Sequence, residues 1–158
     1  MSRATQQQRS AGVGPRFGAG ALPVQVGSPV VTLVIRTDFG HERAWARLVE
    51  AIGTPNEDGF MANAEIVDDP DYRALSADQV LGSMPGARAC RLVALVDAVT
   101  LGSKELPLLV IDQNERPPGR IRVVAREFWS IENNLSLSNM DFHEFVDAAG
   151  VDGVFRGF

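Results

Sequence analysis

The chain has 158 residues, of which 45% are hydrophobic and 22% charged, and these values predict a single globular domain with a core of normal size. It contains no apolar run long enough to cross a membrane and no apolar region of a secretory signal, so we expect a cytoplasmic protein with no membrane attachment. The single cysteine, Cys90, excludes an internal disulfide and every zinc site built from several cysteines.

The charge is distributed unevenly along the chain. The net charge is -5, but residues 1–29 hold three arginines and no acidic residue, so the remainder carries -8. Residues 1–29 have too little apolar surface to fold, and we predict a disordered tail there. An acidic domain over residues 30–158 repels phosphate, which argues against nucleic-acid binding.

The first predicted strand covers residues 30–37 (VVTLVIRT), a continuous apolar and β-branched run that suits a central strand buried on both faces. An amphipathic helix follows, because its apolar residues recur at intervals of three and four: Trp45, Leu48, Val49 and Ile52. Gly53 and Pro55 end this helix. Residues 60–67 then alternate between the two faces of a second, less buried strand.

A capping box at Ser76 and Gln79 predicts the start of a short second helix. The third strand, residues 91–97 (RLVALVD), is again continuously apolar, and residues 107–112 (PLLVID) form the fourth. Only nine residues link these two strands, fewer than a parallel crossover needs. We therefore predict that they are antiparallel or not adjacent.

Residues 120–128 (RIRVVAREF) alternate between apolar and arginine side chains, which predicts a strand antiparallel to the fourth with one solvated face. Residues 128–137 (FWSIENNLSL) fit either a short helix or a packed loop. Ser138 is predicted to cap a last helix with Asp141 in its first turn. The order β-α-β-α-β-β-β-α predicts one α/β domain with a mixed sheet of four to five strands and about three helices.

Carboxylates follow four of the predicted strands: Asp38, Asp68 with Asp69, Asp97, and Asp112. Reversal of the chain between the third and fourth strands sends Asp97 and Asp112 to opposite edges of the sheet, and Asp97 joins Asp38 only if the third strand parallels the first. Asp38, Asp68 and Asp69 remain as candidate ligands of a divalent metal such as Mg²⁺, which prefers oxygen ligands. The competing interpretation is that these aspartates cap a helix and turns.

Other catalytic signals are weak. His41 and His143 each lie beside a glutamate at the start of a predicted helix, but neither has a metal-ligand spacing, and surface histidines are the favoured interpretation. The chain has no phosphate-binding glycine-rich loop and no nucleophile elbow. The sequence therefore favours a protein without enzymatic activity or a cofactor, and it leaves catalysis open.

The segment SIENNLSLSNMDFHEF (residues 130–145) concentrates amide side chains. Asn133, Asn134 and Asn139 can each donate and accept hydrogen bonds, either within a packed loop or toward a ligand. The packed loop is favoured. Phe155 and Phe158 near the C-terminus are expected to pack in the core, with a surface covered by a partner as the alternative.

Four motifs carry a resemblance to a known family: IRTDF (35–39), EIVDDP (65–70), ENNLSLSNMDFHEF (132–145) and DGVFRGF (152–158). Residues 31–158 resemble a family of small uncharacterised actinobacterial proteins, a domain of unknown function. The resemblance implies that the asparagine-rich segment and the C-terminal VFRGF belong to the domain. It implies no activity, cofactor or catalytic residue.

Two functions remain open from the sequence. The leading hypothesis is a non-enzymatic accessory or immunity-type domain that binds another protein, helped by its acidic surface if the partner is basic. The alternative is a metal-dependent phosphoryl-transfer or hydrolase domain that uses the strand-end carboxylates. A third hypothesis is a small-molecule-binding domain with the asparagines in its pocket. The sequence leaves the oligomeric state open.

Overall fold

A computed structural model describes residues 31–84 and 86–158. The predicted disordered tail, residues 1–29, lies outside the described residues. The described chain contains a mixed six-stranded sheet, whose strands are β1 (Thr32–Arg36), β2 (Ala64–Val67), β3 (Leu92–Val96), β4 (Pro107–Asp112), β5 (Gly119–Val124) and β6 (Val154–Phe155). The α/β fold class predicted from the sequence is confirmed.

The helices are α1 (Glu42–Gly53), α2 (Ala77–Ser83), α3 (Ala98–Gly102), α4 (Phe128–Ser136) and α5 (Phe142–Asp147). Single 3₁₀ turns lie at Pro70–Tyr72, Ala87–Ala89 and Ala125–Glu127. The described part of the chain thus has one strand more than the upper predicted number and two more helices. The additional strand, β6, has two residues and α3 has five, and neither is long enough to show a period in the sequence.

The strands lie in the order β2-β1-β3-β4-β5-β6. β1 is parallel to both of its neighbours, β2 and β3. β3 and β4 are antiparallel, as the short link between them predicted, and β4 and β5 are also antiparallel. The carboxyl ends of the first three strands therefore share one edge of the sheet, called here the carboxyl edge. The edge at which these strands begin is the amino edge.

Each face of the sheet carries its own apolar core. Alternate residues of β1 divide between them, because Val34 belongs to the larger core and Ile35 to the smaller one. Helices α1, α4 and α5 cover the larger core, and α2 covers the smaller one. β1 and β3 are almost entirely buried, which explains their continuous apolar sequences.

Helix starts follow local capping chemistry. The capping box predicted at Ser76 and Gln79 is confirmed at the start of α2. The predicted cap of the last helix was wrong, since α5 begins after Asp141, whose backbone N–H donates to the carboxylate of Glu144 at 2.7 Å. Ser138 instead adopts a left-handed conformation, with φ of 56°, directly after α4.

No helix in the described part of the chain has both the length and the apolar character needed to span a membrane.

Candidate functional site

The carboxyl edge collects most of the predicted strand-end carboxylates. Asp38, Asp68 and Asp69 follow the parallel strands β1 and β2, and Asp97 joins them because β3 is also parallel to β1. Asp112 pairs with the first residue of β3 and therefore lies at the amino edge. The prediction that Asp97 and Asp112 lie at opposite edges is confirmed.

The space between β1 and β2 at the carboxyl edge is where open α/β sheets bind ligands. The chain leaves β1 toward α1 on one face and leaves β2 toward α2 on the other. Such a divergence opens a crevice outside the carboxyl ends of the two strands. In this protein the guanidinium of Arg36, only 3% exposed, occupies that position.

Arg36 binds the polar groups around the crevice. Its Nε donates to the backbone oxygen of Asp38 at 2.9 Å, and its two terminal nitrogens donate to Glu42 and to Asp68, the latter at 3.2 Å. Burial by itself would lower the pKa of Arg36, but the hydrogen bonds to Glu42 and Asp68 raise that pKa above its ordinary value. The guanidinium therefore stays charged and neutralises part of the acidic edge.

Aromatic rings enclose the same guanidinium. The ring centroids of Phe39 and Trp45 lie 4.4 Å and 4.8 Å from the central carbon of Arg36, within the range of a cation–π contact. Arg73 stacks on Phe39 at 4.9 Å. Arg36 is thus held by packing as well as by charge.

Asp38 pairs with His41. One oxygen of Asp38 accepts from the backbone of Gly40 at 2.7 Å, and the other lies 2.6 Å from Nδ1 of His41. Burial would raise the pKa of Asp38, but the hydrogen bonds from Gly40 and His41 lower it below its usual value. His41 is half exposed and His143 is exposed.

Each predicted metal ligand already accepts a protein hydrogen bond. Asp38 accepts from Gly40, Asp68 accepts from Arg36, and Asp69 accepts from the backbone of Asp71 at 3.0 Å, which caps a 3₁₀ turn. In residues 31–84 and 86–158, no group of three or more acidic, histidine or cysteine side chains is arranged to hold a metal ion. The three aspartates share an edge, and protein donors already use part of the acceptor capacity of each.

The other two strand-end aspartates bind arginines. Asp97 accepts from both terminal nitrogens of Arg122, at 2.8 Å and 2.7 Å, and from Thr100. Burial would raise the pKa of Asp97, but the contacts with Arg122 and Thr100 lower it. Asp112 is fully buried and accepts from Arg91 at 3.0 Å. Both aspartates act as structural counter-ions that connect neighbouring elements.

A cleft of about 500 Å³ opens on the molecular surface beside the amino edge. We call it the amide–aromatic cleft, and its lining residues are Gly59, Phe60, Met61, Trp129, Asn133, Asn134, Leu137 and Asn139. All three asparagines singled out from the sequence thus line one cleft.

The apolar part of the cleft is exposed. Phe60 is 53% exposed, Met61 46% and Leu137 69%. The rings of Phe60 and Trp129 stack with a centroid distance of 5.5 Å and an interplanar angle of 12°. The stack forms a flat apolar wall between the loop before β2 and helix α4.

The asparagines retain hydrogen-bonding capacity. Nδ2 of Asn134 donates to the backbone oxygen of Ser130 at 2.9 Å, and Nδ2 of Asn133 donates to that of Met61 at 3.4 Å. Within the described ranges, no donor contacts the side-chain oxygen of Asn133, Asn134 or Asn139. These oxygens are available to a ligand at the surface.

A buried carboxylate fixes the cleft to the sheet. Glu132 is 2% exposed and accepts from the hydroxyl of Thr32 at 3.1 Å, the backbone of Asn63 at 2.9 Å and the hydroxyl of Ser136 at 2.8 Å. These bonds join α4 to the start of β1 and to the loop that leads into β2. The position of Asn133, the next residue, is therefore determined by the core.

The turn after α4 positions the third asparagine. The backbone N–H of Asn139 donates to the backbone oxygen of Asn134 at 2.8 Å. The backbone N–H of Ser138 donates to the backbone oxygen of Leu135 at 3.1 Å. This pair of bonds around a left-handed residue is a Schellman motif, with Ser138 where glycine is usual. The motif brings Asn139 back to the side of the helix that carries Asn134.

Phe155 and Phe158 lie apart from this cleft. Phe155 is fully buried and packs edge-to-face on Phe145 at 5.1 Å. Phe158 contacts both rings but is 74% exposed. Of these two candidate partner contacts, Phe158 alone presents a large surface.

The sequence did not indicate that Phe60, Met61 and Trp129 line the cleft together with the asparagines. The alternation from residue 60 predicted a strand, whereas β2 begins at Ala64 and the preceding residues lie outside the sheet. A usable signal was the pair of large apolar residues, Phe60 and Met61, directly after the polar loop TPNEDG.

The fold and its surfaces define a small α/β domain whose carboxyl edge is occupied by ion pairs and whose amino edge carries an open cleft. Residues 31–158 match a family described as a domain of unknown function, DUF6924, and the chain belongs to this family. The family membership and the span expected from the sequence are confirmed. No curated protein matches the chain.

Proposed function

We propose that this domain binds an extended segment of another protein in the amide–aromatic cleft and has no enzymatic activity of its own. The observation that carries the proposal is the exposure of Phe60, Met61 and Leu137 around three asparagines in one cleft. Exposed apolar side chains clustered beside polar groups are typical of interaction surfaces.

The polar lining suits a peptide backbone. A side-chain amide presents one acceptor group and two N–H donors, which complement the N–H and C=O groups of an extended chain. The side-chain oxygens of Asn133, Asn134 and Asn139 accept no hydrogen bond from described residues and can accept from peptide N–H groups. Such pairing would recognise the backbone of the segment without requiring a charged side chain.

The apolar lining suits one anchoring side chain. The stacked rings of Phe60 and Trp129 provide a flat surface for a proline, an aromatic or a branched aliphatic residue. Met61 beside them can adjust its shape to different anchors. We infer a segment in which one such residue is flanked by small residues.

Charge favours a basic segment. The chain outside residues 1–29 carries a net charge of -8, and two acidic residues, Glu57 and Asp58, directly precede Gly59 at the rim of the cleft. A basic residue next to the apolar anchor would be attracted to this rim and would speed association.

A displayed library of random peptides, selected on the immobilised full chain, tests the proposal. We expect enrichment of peptides with an aromatic or proline anchor beside arginine or lysine. The double variant Asn133→Ala and Leu137→Ser should lose this enrichment, whereas the matched variant His143→Ala and Val146→Ser, on the exposed face of α5, should keep it. Absence of enrichment on every form of the protein, or equal enrichment on both variants, would overturn the proposal.

The carboxyl edge supports a second candidate function, that of a metal-dependent phosphoryl-transfer or hydrolase domain. Its supporting observation is that Asp38, Asp68 and Asp69 follow two adjacent parallel strands beside a crevice. Because a ligand that binds only the native state raises the melting temperature, melts with millimolar Mg²⁺ or Mn²⁺ and nucleotides test this candidate. An unchanged melting temperature would remove it, and an increase that Asp68→Asn abolishes would favour it.

A further inference from the structure

We propose that residues 16–26 of this chain (RFGAGALPVQV) bind in the chain's own amide–aromatic cleft and compete there with the partner segment. This inference rests on the proposed function, since it assigns a first occupant to the same peptide-binding cleft. Three observations support it: where the described chain begins, how few residues separate the segment from that point, and the chemistry of the segment.

The described chain begins next to the cleft. The backbone N–H of Thr32 donates to Asn63 at 3.2 Å, and its hydroxyl donates to Glu132 at 3.1 Å. Asn63 is two residues from Met61, and Glu132 adjoins Asn133, and both Met61 and Asn133 line the cleft. Residues that precede Thr32 therefore join the domain at the rim of the cleft.

The connection is short. Five residues separate Val26 from Thr32. Fully extended, they span at most about 3.3 Å each, so Val26 stays within roughly 20 Å of the cleft rim. A segment tethered by so short a connection has an effective concentration on the order of millimolar at the site. Weak intrinsic affinity is then sufficient for substantial occupancy.

The segment has the composition that we inferred above for a peptide bound in the cleft. Phe17, Leu22 and Val24 are candidate anchors for the Phe60–Trp129 wall, and Pro23 favours an extended backbone. The small residues between Phe17 and Leu22 allow the backbone to approach the asparagines closely. The segment thus offers both an anchor and an accessible backbone.

Charge complementarity supports the same pairing. Residues 1–29 carry +3 with no acidic residue, against -8 for the remainder of the chain. Arg16 directly precedes Phe17, which is the arrangement of a basic residue beside an apolar anchor that the acidic rim at Glu57 and Asp58 favours. An occupied cleft would bind an external peptide about tenfold more weakly, because only the unoccupied fraction is competent.

Paramagnetic broadening in the full chain tests the placement of the segment. The native thiol is removed by Cys90→Ala, and a nitroxide is attached through Ala19→Cys. We expect selective broadening of the side-chain amide signals of Asn133, Asn134 and Asn139 and of the indole signal of Trp129. The indole of Trp45, which stacks on Arg36 at the carboxyl edge, is the internal control and should be little affected.

Two further samples make the result decisive. The first sample is a nitroxide-labelled chain with three serine substitutions, Phe17→Ser, Leu22→Ser and Val24→Ser. This serine-substituted chain should lose the selective broadening. An isotope-labelled chain without nitroxide, mixed with a nitroxide-labelled chain without isotope, should show none. Equal broadening of both indoles, no broadening of the cleft signals, or broadening in the mixed sample would overturn binding in cis, and the last result would assign the cleft to a second copy.

Peptide selection on the serine-substituted chain separates this inference from the proposed function. If the segment occupies the cleft, selected peptides should bind the substituted chain about tenfold more tightly than the natural chain. Equal affinities would overturn the occupancy and leave peptide binding intact. Failure of both chains to bind any peptide would overturn the proposed function, whereas the broadening experiment would still report whether the segment contacts the cleft.

Discussion

At the carboxyl edge, the carboxylates of Asp38, Asp68 and Asp97 each accept a hydrogen bond from a neighbouring protein group, and two of these carboxylates bind an arginine side chain. At the amino edge, the asparagine oxygens of the amide–aromatic cleft accept none from described residues, and apolar side chains around them are exposed. The comparison shows that charged residues at strand ends can have hydrogen-bond partners within the fold. Binding capacity instead remains where polar and apolar groups lie together without internal partners.

The largest effect is expected at the carboxyl edge. Arg36→Ala removes a buried guanidinium, its three hydrogen bonds and its contacts with two aromatic rings, and should lower the free energy of unfolding by about 3 kcal/mol. Arg73→Ala is the matched control, because Arg73 also stacks on Phe39 but is exposed, and should cost less than about 0.5 kcal/mol. Urea denaturation measures both. Similar small losses in the two variants would contradict a structural role for Arg36.

Next in size is the connection between the cleft and the sheet. Glu132→Ala removes the acceptor of the buried Thr32 hydroxyl and of the partly buried backbone N–H of Asn63, and it should lower the free energy of unfolding by about 2 kcal/mol. Glu132→Gln keeps one side-chain oxygen as an acceptor and should lower the free energy of unfolding by about 1 kcal/mol. Hydrogen exchange at the backbone of Asn63 should accelerate more in the alanine variant, and unchanged exchange in both would show that Glu132 does not fix this loop.

The pH dependence of stability tests the ion pair between Asp97 and Arg122 at the carboxyl edge. The pKa of Asp97 is lower in the folded chain than in the unfolded one, so its stabilising contribution is complete above the unfolded pKa and disappears as pH falls below about 4. Asp97→Asn should lower the free energy of unfolding by about 1.5 kcal/mol at pH 7. In acid, the free energies of unfolding of the variant and the natural chain should become more similar. Denaturation at pH 7 and pH 3 checks this. A difference that stays constant with pH would contradict the role of the ionised pair with Arg122.

A smaller, stabilising effect is expected at the end of α4. Ser138 has a positive φ of 56°, a conformation that glycine adopts more easily. Ser138→Gly should raise the free energy of unfolding by about 0.5 kcal/mol, since relief of the strain exceeds the added flexibility of the unfolded chain. Asn139→Gly, at the next position, is the control and should not stabilise. A thermal melt that shows destabilisation by Ser138→Gly would contradict the Schellman geometry.

The smallest effect on stability belongs to the cleft surface. Leu137→Ser changes a side chain that is 69% exposed and should alter stability by less than about 0.5 kcal/mol. The same change should weaken binding of selected peptides, while Val146→Ser, at an exposed position of α5, should leave it unchanged. A large loss of stability in Leu137→Ser would mean that the exposed residues of the cleft serve the fold, as those of the carboxyl edge do.

Much of the fold was predictable from local patterns. The buried strands β1 and β3 appear as continuous apolar runs, and the nine-residue link correctly predicted the reversal into β4. The capping box at Ser76 was also readable, because it depends on residues three positions apart. The cap at Asp141 was missed because Ser138 offers the same chemistry, and only the path of the chain after α4 decides between them.

The candidate site was predictable only in part. The asparagines were visible as a cluster in the sequence, but their partners Phe60 and Met61 lie about seventy residues earlier. Likewise, Arg36 contacts Asp68 and Asp97 contacts Arg122 across separate strands, so the sequence presented these carboxylates without their counter-ions. Contacts between distant residues leave no periodic signal.

The sequence by itself determined the α/β class, the main strands and the presence of an amide-rich segment, because hydrophobic period and capping act over a few residues. The tertiary structure decided which polar groups are satisfied and which face solvent, because that depends on strand order and on side chains far apart in the chain. It closed the carboxyl edge with arginines and left the amide–aromatic cleft open.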